Sequence, residues 1–207
     1  MVDDQKKMIY LSGKSVEHPD IGLMMSFNVG KQAIGNNKVW AADNGCFARP
    51  DLYSDDKYLD WLDKFPRETC LFATAPDVVG NAKETLERSL PLLPKIRSIG
   101  YKSAFIAQDG ATKNLPWEEF DCLFIGGTTT WKLSQSAADI MAEAKRNRKW
   151  LHVGRVNSYR RLSLISILGA DSCDGTFLAF GPDKNLPRLL RWFEKLEEQT
   201  CLNLKGV

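Results

Sequence analysis

A chain of 207 residues with a formal charge of +2 is long enough for one full hydrophobic core and short for two, so a single domain is expected. No run approaches the roughly 20 apolar residues of a membrane helix, and the charged stretch 1–7 lacks the apolar segment of a secretory signal. That excludes a membrane-spanning class and makes a cytoplasmic location the expectation. The five cysteines (Cys46, Cys70, Cys122, Cys173, Cys201) are widely spaced without a Cys-x-x-Cys pair, and neither histidine, His18 or His152, has a neighbour at metal spacing. Neither a disulfide framework nor a zinc knuckle is therefore suggested; reduced thiols, no metal and no cofactor are expected.

In chain order, short apolar runs predict strands at 8–12, 22–27, 38–42, 69–75, 103–107, 122–126, 150–154 and 172–175. Amphipathic stretches at 54–65, 81–98, 134–148 and 158–168 separate the later strands. A last helix is expected at 184–198, with Leu186, Leu189, Leu190, Trp192, Phe193 and Leu196 on its apolar face. Pro91 and Pro94 should split the second stretch, and Ser134 is a good N-cap for the third. The first two connections are too short for full helices. Strands alternating with helices predict a compact (β/α)8 barrel, α/β in class, near the lower size limit for that fold. An open doubly wound sheet is the alternative, although the Gly-x-Gly-x-x-Gly fingerprint is absent.

In either parallel fold the carboxyl ends of the strands carry the site, and polar residues follow most of these runs. Asp43 opens the turn Asp43-Asn44-Gly45-Cys46-Phe47, where a carboxylate is offered to a ligand while the sheet holds its backbone. Asp-Asn-Gly is also ordinary turn chemistry. Asp171 and Asp174, three apart in an extended segment, point to opposite sides, so only one of them can face the pocket; the residues alone do not rank them. A carboxylate there can attack an electrophilic carbon or shield an oxocarbenium ion while a second trades protons with the leaving group. Asp77 and Gln108 offer acceptors and donors suited to the edge of a planar heterocycle, and Gly126-Gly127 lets a ligand approach the backbone. His152 fits a core position or one supporting the site from behind. Trp131, in a loop after the glycine pair, can stack on a base. Between 145 and 161 the residues Lys145, Arg146, Arg148, Lys149, Arg155, Arg160 and Arg161 occur without an acid, either as a solvated helix end and loop or as a phosphate-contacting face.

In this order the elements resemble the tRNA-guanine transglycosylase superfamily, including its DNA-acting DpdA-like branch, over roughly residues 38 to 176. Asp43-Asn44-Gly45-Cys46-Phe47 is similar to that family's Asp-Ser-Gly-Gly-Phe motif, whose aspartate is implicated as general acid/base. Asp77 resembles the base-reading aspartate, Gln108 the glutamine of a Gln-Gly motif, and Gly126-Gly127 the Gly-Gly loop. His152-Val153-Gly154-Arg155 resembles the segment before the nucleophile, and Gly169-Ala170-Asp171-Ser172-Cys173-Asp174 the Gly-x-Asp-x-x-Asp motif, whose last aspartate is the nucleophile. The chain departs from the family in lacking the Cys-x-Cys-x-x-Cys…His zinc site and the length for tRNA-binding elements.

The resemblance therefore implies attack on a sugar C1′ with loss of a base, and DNA rather than tRNA as partner. The expected protein is a DNA glycosylase that flips out a modified base and leaves an abasic site, with a role in handling modified phage DNA. Phosphate contacts would come from Lys132, Arg155, Arg160 and Arg161, with Trp131 against the nucleic acid. No membrane contact is expected, and a homodimer is compatible with the chain. Three alternatives remain open: base exchange with a 7-deazaguanine, a catalytically idle nucleic-acid-binding barrel, and a small-molecule phosphate-binding barrel enzyme.

Overall fold

The computed structural model describes residues 7–27, 34 and 38–205, with side chains to residue 199. The strands are β1 (Ile9–Ser12), β2 (Ile21–Ser26), β3 (Trp40–Asp43), β4 (Cys70–Thr74), β5 (Ser103–Ala107), β6 (Cys122–Ile125), β7 (Trp150–Val153) and β8 (Ser172–Gly175). All pair in parallel in sequence order, and β8 returns to β1 with Ile9 opposite Ser172 and Ser12 opposite Gly175. That last pairing closes an eight-stranded barrel and removes the open-sheet alternative.

The period-two pattern of each strand has two apolar destinations. Leu11, Ala41, Phe72, Ala104 and Cys122 form a cluster inside the barrel, joined by Met24 and Phe124. Their chain neighbours Tyr10, Ala42, Ala73, Phe105 and Leu123 belong to the larger layer between strands and helices. Alanines and a cysteine among the inner positions leave room for Phe72 and Phe124 in a narrow lumen.

The helices are α1 (Asp55–Leu62), α2 (Ala82–Ser89), α3 (Leu93–Ser98), the short α4 (Thr129–Lys132), α5 (Gln135–Arg146), α6 (Tyr159–Ile167) and α7 (Pro182–Lys205). Ser54, Asn81, Ser134 and Ser158 each accept an amide from the first turn of a helix, satisfying a donor that the helix cannot. The proline pair divides α2 from α3 as expected, with Pro94 in the first turn of α3, where its missing N–H costs nothing. No helix occurs between β1 and β2, and a 3-10 turn, Trp117–Glu119, is the one helical element joining β5 to β6. The β2–β3 connection lies largely outside the described residues. Tyr58 and Leu62 of α1, Ile140 and Met141 of α5, Leu162 and Ile165 of α6 and Leu189 and Phe193 of α7 are buried against the strands. Among the described residues no helix is long and apolar enough to cross a membrane.

Candidate active site at the barrel mouth

Asp43 is the last residue of β3 and Asp174 the third of β8, so both stand at the carboxyl rim, with β1 and β2 between their strands. Asp77 and Gln108 follow β4 and β5 on the same rim, and Gly126-Gly127 follow β6. The barrel brings together the residues expected to act at one site, and their surroundings give each a different character.

The Ser26 hydroxyl donates to Asp43 Oδ2 at 3.0 Å and the Gly45 amide to Oδ1 at 3.3 Å. Burial outweighs both and raises the carboxyl above its ordinary value, and the negative charge of Asp174 adds to the rise. Gly45 adopts φ +66°, and a Cβ there would lie 2.5 Å from the Phe27 carbonyl, so the turn that aims this amide at Asp43 requires glycine.

Asp174 is biased the other way. Burial alone would raise it, but the hydrogen bond from His152, the Arg155 amide and the Lys132 ammonium together hold it below the usual carboxylate range. The Arg155 N–H reaches Oδ1 at 2.8 Å, and His152 Nε2 lies 3.3 Å from Oδ2. Arg155 takes φ 60°, uncommon for a side-chain-bearing residue, and this left-handed turn points its amide at the carboxylate. Asp171, by contrast, starts the segment at the opposite end of β8, where Lys145 Nζ at 2.8 Å and the Leu151 amide at 2.7 Å occupy its Oδ2. It is a structural anchor, and Asp174 is the acid that faces the mouth.

Behind Asp174 runs a chain that sequence alone does not disclose. Trp150 Nε1, a donor only, gives its proton to Ser172 Oγ at 2.7 Å. The serine hydroxyl lies 2.8 Å from His152 Nδ1 and can donate to it, which leaves the imidazole proton on Nε2, aimed at Asp174. Phe72 and Phe124 wall the ring off, with centroids 4.9 and 4.4 Å from it. Burial, opposed by Asp174, pushes His152 below its ordinary value, so the neutral imidazole is the resting form. Nitrogen NMR at pH 7 should show a neutral ring protonated on Nε2; an Nδ1-protonated or cationic ring would contradict this chain.

Gln108 serves more as a strut than as a reader of ligands. Its Oε1 accepts the Gly80 amide at 3.0 Å and the Gly127 amide at 2.9 Å, tying the β4 loop to the β6 loop, and its Nε2 donates to Asp77 Oδ2 at 2.6 Å. One N–H of the amide remains for a ligand. Asp77 is raised by burial and then by the charge of Asp43; its Oδ1 lies 3.7 Å from the Cys46 thiol. Gly127 takes φ +62°, and a Cβ there would fall 2.5 Å from the Trp131 ring and 2.7 Å from Asp109. Gly127→Ala should therefore lower stability by about 1–3 kcal/mol, read as a drop in thermal unfolding temperature.

The basic run does not make one face, because β7 passes through it. Lys145, Arg146, Arg148 and Lys149 precede β7 and lie at the far end of the barrel, with Lys145 paired to Asp171 and Arg146 to Glu143. Arg155, Arg160 and Arg161 follow β7 at the mouth. Arg155 reaches the Gly127 carbonyl, Arg161 the Arg155 carbonyl at 3.3 Å, and Arg160 is exposed. Lys132 points inward and is only 6% exposed, bonded to the Gly154 carbonyl; as the chain rests it is not a surface phosphate contact. Trp131 is half-buried against the Gly127 turn, so its ring closes that turn rather than standing free as a wedge. The exposed rim aromatics are instead Phe47 after β3 and Phe180 after β8, 75% and 77% exposed, which sequence periodicity did not single out. Among the described residues no group of three or more His, Cys, Asp or Glu is gathered as a metal ion would require.

Fold and rim together define a (β/α)8 barrel with Asp43, Asp77 and Asp174 at its mouth. No protein-family profile and no curated protein matches the chain. Among solved structures it is similar to an open form of tryptophan synthase from M. tuberculosis, with a TM-score of 0.53 and 14% identity over 93% of this chain and 92% of that chain. A PaMucR phosphodiesterase in complex with c-di-GMP aligns over 69% of this chain and 67% of that chain at 16% identity, with a TM-score of 0.44. The first likeness shows the barrel fold alone, a fold that is compatible with an enzyme. The resemblance to the tRNA-guanine transglycosylases rests on the motifs.

Proposed function

We propose that the protein cleaves N-glycosidic bonds in DNA, excising a modified base and leaving an abasic site. The observation that carries this reading is the opposite bias of two carboxylates on one rim, Asp43 towards the protonated form and Asp174 towards the anion. Two acids driven apart in this way suit the roles of acid and nucleophile in a glycosidic cleavage. Asp174 attacks or shields C1′ as positive charge develops there, His152 and the Arg155 amide hold its orientation, and Asp43 delivers a proton to the departing base. Among the described residues neither acid is paired with a lysine or arginine that would neutralise it. Asp77 Oδ1 and the remaining N–H of Gln108 suit the polar edge of a heterocycle. Arg155, Arg160 and Arg161 supply positive charge at the rim for a phosphate backbone, which favours a polymer over a free nucleoside. Water completes the cycle by releasing the sugar from Asp174.

Base exchange is the same chemistry with a different acceptor. Incubating the protein with DNA and isotope-labelled 7-deazaguanine separates the two: excision leaves the label in solution while a DNA base is released, whereas exchange puts the label into the polymer. Release from free nucleosides but from no DNA would overturn the polymer assignment. A protein that binds DNA with strong salt dependence but releases no base would be the idle binding barrel.

A further inference from the structure

Lys132 is a buried amine to which the cleavage step gives no bond-making role, although its positive charge helps keep Asp174 ionised. It ends α4, its Nζ donates to the Gly154 carbonyl, and among the described residues no carboxylate lies within ion-pair distance of it. Gly154 connects it to the site, since a Cβ on that glycine would lie 3.5 Å from Asp174 Oδ2. The charges that face Lys132 are Arg155, Asp174, Arg161 and Asp109. Burial, reinforced by Arg155 and opposed by Asp174, brings the amine down to about 8, so roughly a tenth is the free base at pH 7. Lysines that form imines are made nucleophilic by this combination of desolvation and a neighbouring cation.

We propose that Lys132 is a second nucleophile of the mouth, forming an imine with the C1′ aldehyde of an abasic sugar held at Asp174. The inference rests on the proposed base excision for the source of that sugar, but the chemistry begins from the abasic site itself. The ring-opened sugar presents an aldehyde. The Nζ lone pair forms a bond to C1′, the carbonyl oxygen takes up two protons, one from the amine and one from the medium, and leaves as water, giving a protonated imine. Loss of a C2′ proton to a carboxylate of the mouth then lets that electron pair form the C2′–C3′ double bond while the 3′ phosphate departs with the C3′–O pair. Water hydrolyses the imine and returns the amine. The protein would thus nick the strand it has emptied.

The test uses the full chain and an oligonucleotide with one preformed abasic site, so base excision is not required. Sodium borohydride, which adds hydride to the imine carbon, should trap a one-to-one protein–DNA adduct, and peptide mass spectrometry should locate it on Lys132. Without borohydride, scission at the abasic site should exceed that of the DNA alone at least about tenfold. Lys132→Arg, which keeps the charge and cannot form the imine, should lose both. Mapping on the unaltered protein does not depend on the variant's folding. An adduct on another amine, or none from a protein that still releases bases, overturns the proposal and leaves the excision reading intact. An adduct on Lys132 from a protein that releases no base supports the proposal and overturns the excision reading.

Discussion

Asp174→Asn is expected to abolish base release, lowering the rate about ten-thousand-fold or more, while DNA binding changes little. The side chain keeps its shape, but an amide cannot carry the negative charge that attacks or shields C1′. It also cannot accept at both positions: either His152 Nε2–H or the Arg155 amide, now satisfied at 3.3 and 2.8 Å, would meet an N–H instead of an oxygen. That mismatch should change stability by about 1 kcal/mol, small enough for binding to be measured on folded protein. Rim arginines that contact phosphate are untouched, so affinity and its salt dependence should persist. Full activity in this variant would remove Asp174 from the mechanism.

Activity should be bell-shaped in pH, and Asp43→Asn should remove its alkaline side along with about a hundredfold or more of the rate. Asp174 is held below its ordinary value, so it must be stripped of its charge for the acid side to fall, and activity is lost as pH drops through that depressed value. Asp43 is raised, so it keeps its proton above its ordinary value and activity is lost as pH rises through the raised one. Asp77 is raised as well, by burial and by Asp43 itself, and the variant distinguishes them. If Asp77 were the acid, the alkaline side would survive in Asp43→Asn and shift, because the charge of Asp43 that helps raise Asp77 would be gone.

Much of the barrel was legible because most strands are short apolar runs ended by a polar residue, and both β5 and β8 fall on the expected spans. The rim positions of Asp43, Asp77, Gln108 and Asp174 follow from that pattern once closure places all strand ends on one side. Closure itself is a contact between β1 and β8, far apart in the chain, and no local pattern announces it. The same holds for the support of Asp174. Trp150, Ser172 and His152 sit on two strands whose pairing puts His152 opposite Ser172, and only that register reveals the chain of donors. A run of basic residues reads as one patch in sequence, but a strand in its middle sends its halves to opposite ends of the barrel. Lys132 looks like a surface cation in Thr128-Thr129-Thr130-Trp131-Lys132 because the direction of α4 is a tertiary matter. The ambiguity between Asp171 and Asp174 likewise ends with Lys145 and the Leu151 amide, which occupy the first.

Whether this mouth breaks the bond between a base and C1′ is decided by counting two products of one reaction. Phage DNA bearing hypermodified bases and unmodified DNA would each be incubated with the protein, with free bases measured by mass spectrometry and abasic sites, intact or cleaved, by aldehyde-reactive labelling. One free base is expected for every abasic site, from the modified DNA in preference to the unmodified. DNA that keeps all its bases under these conditions would contradict it.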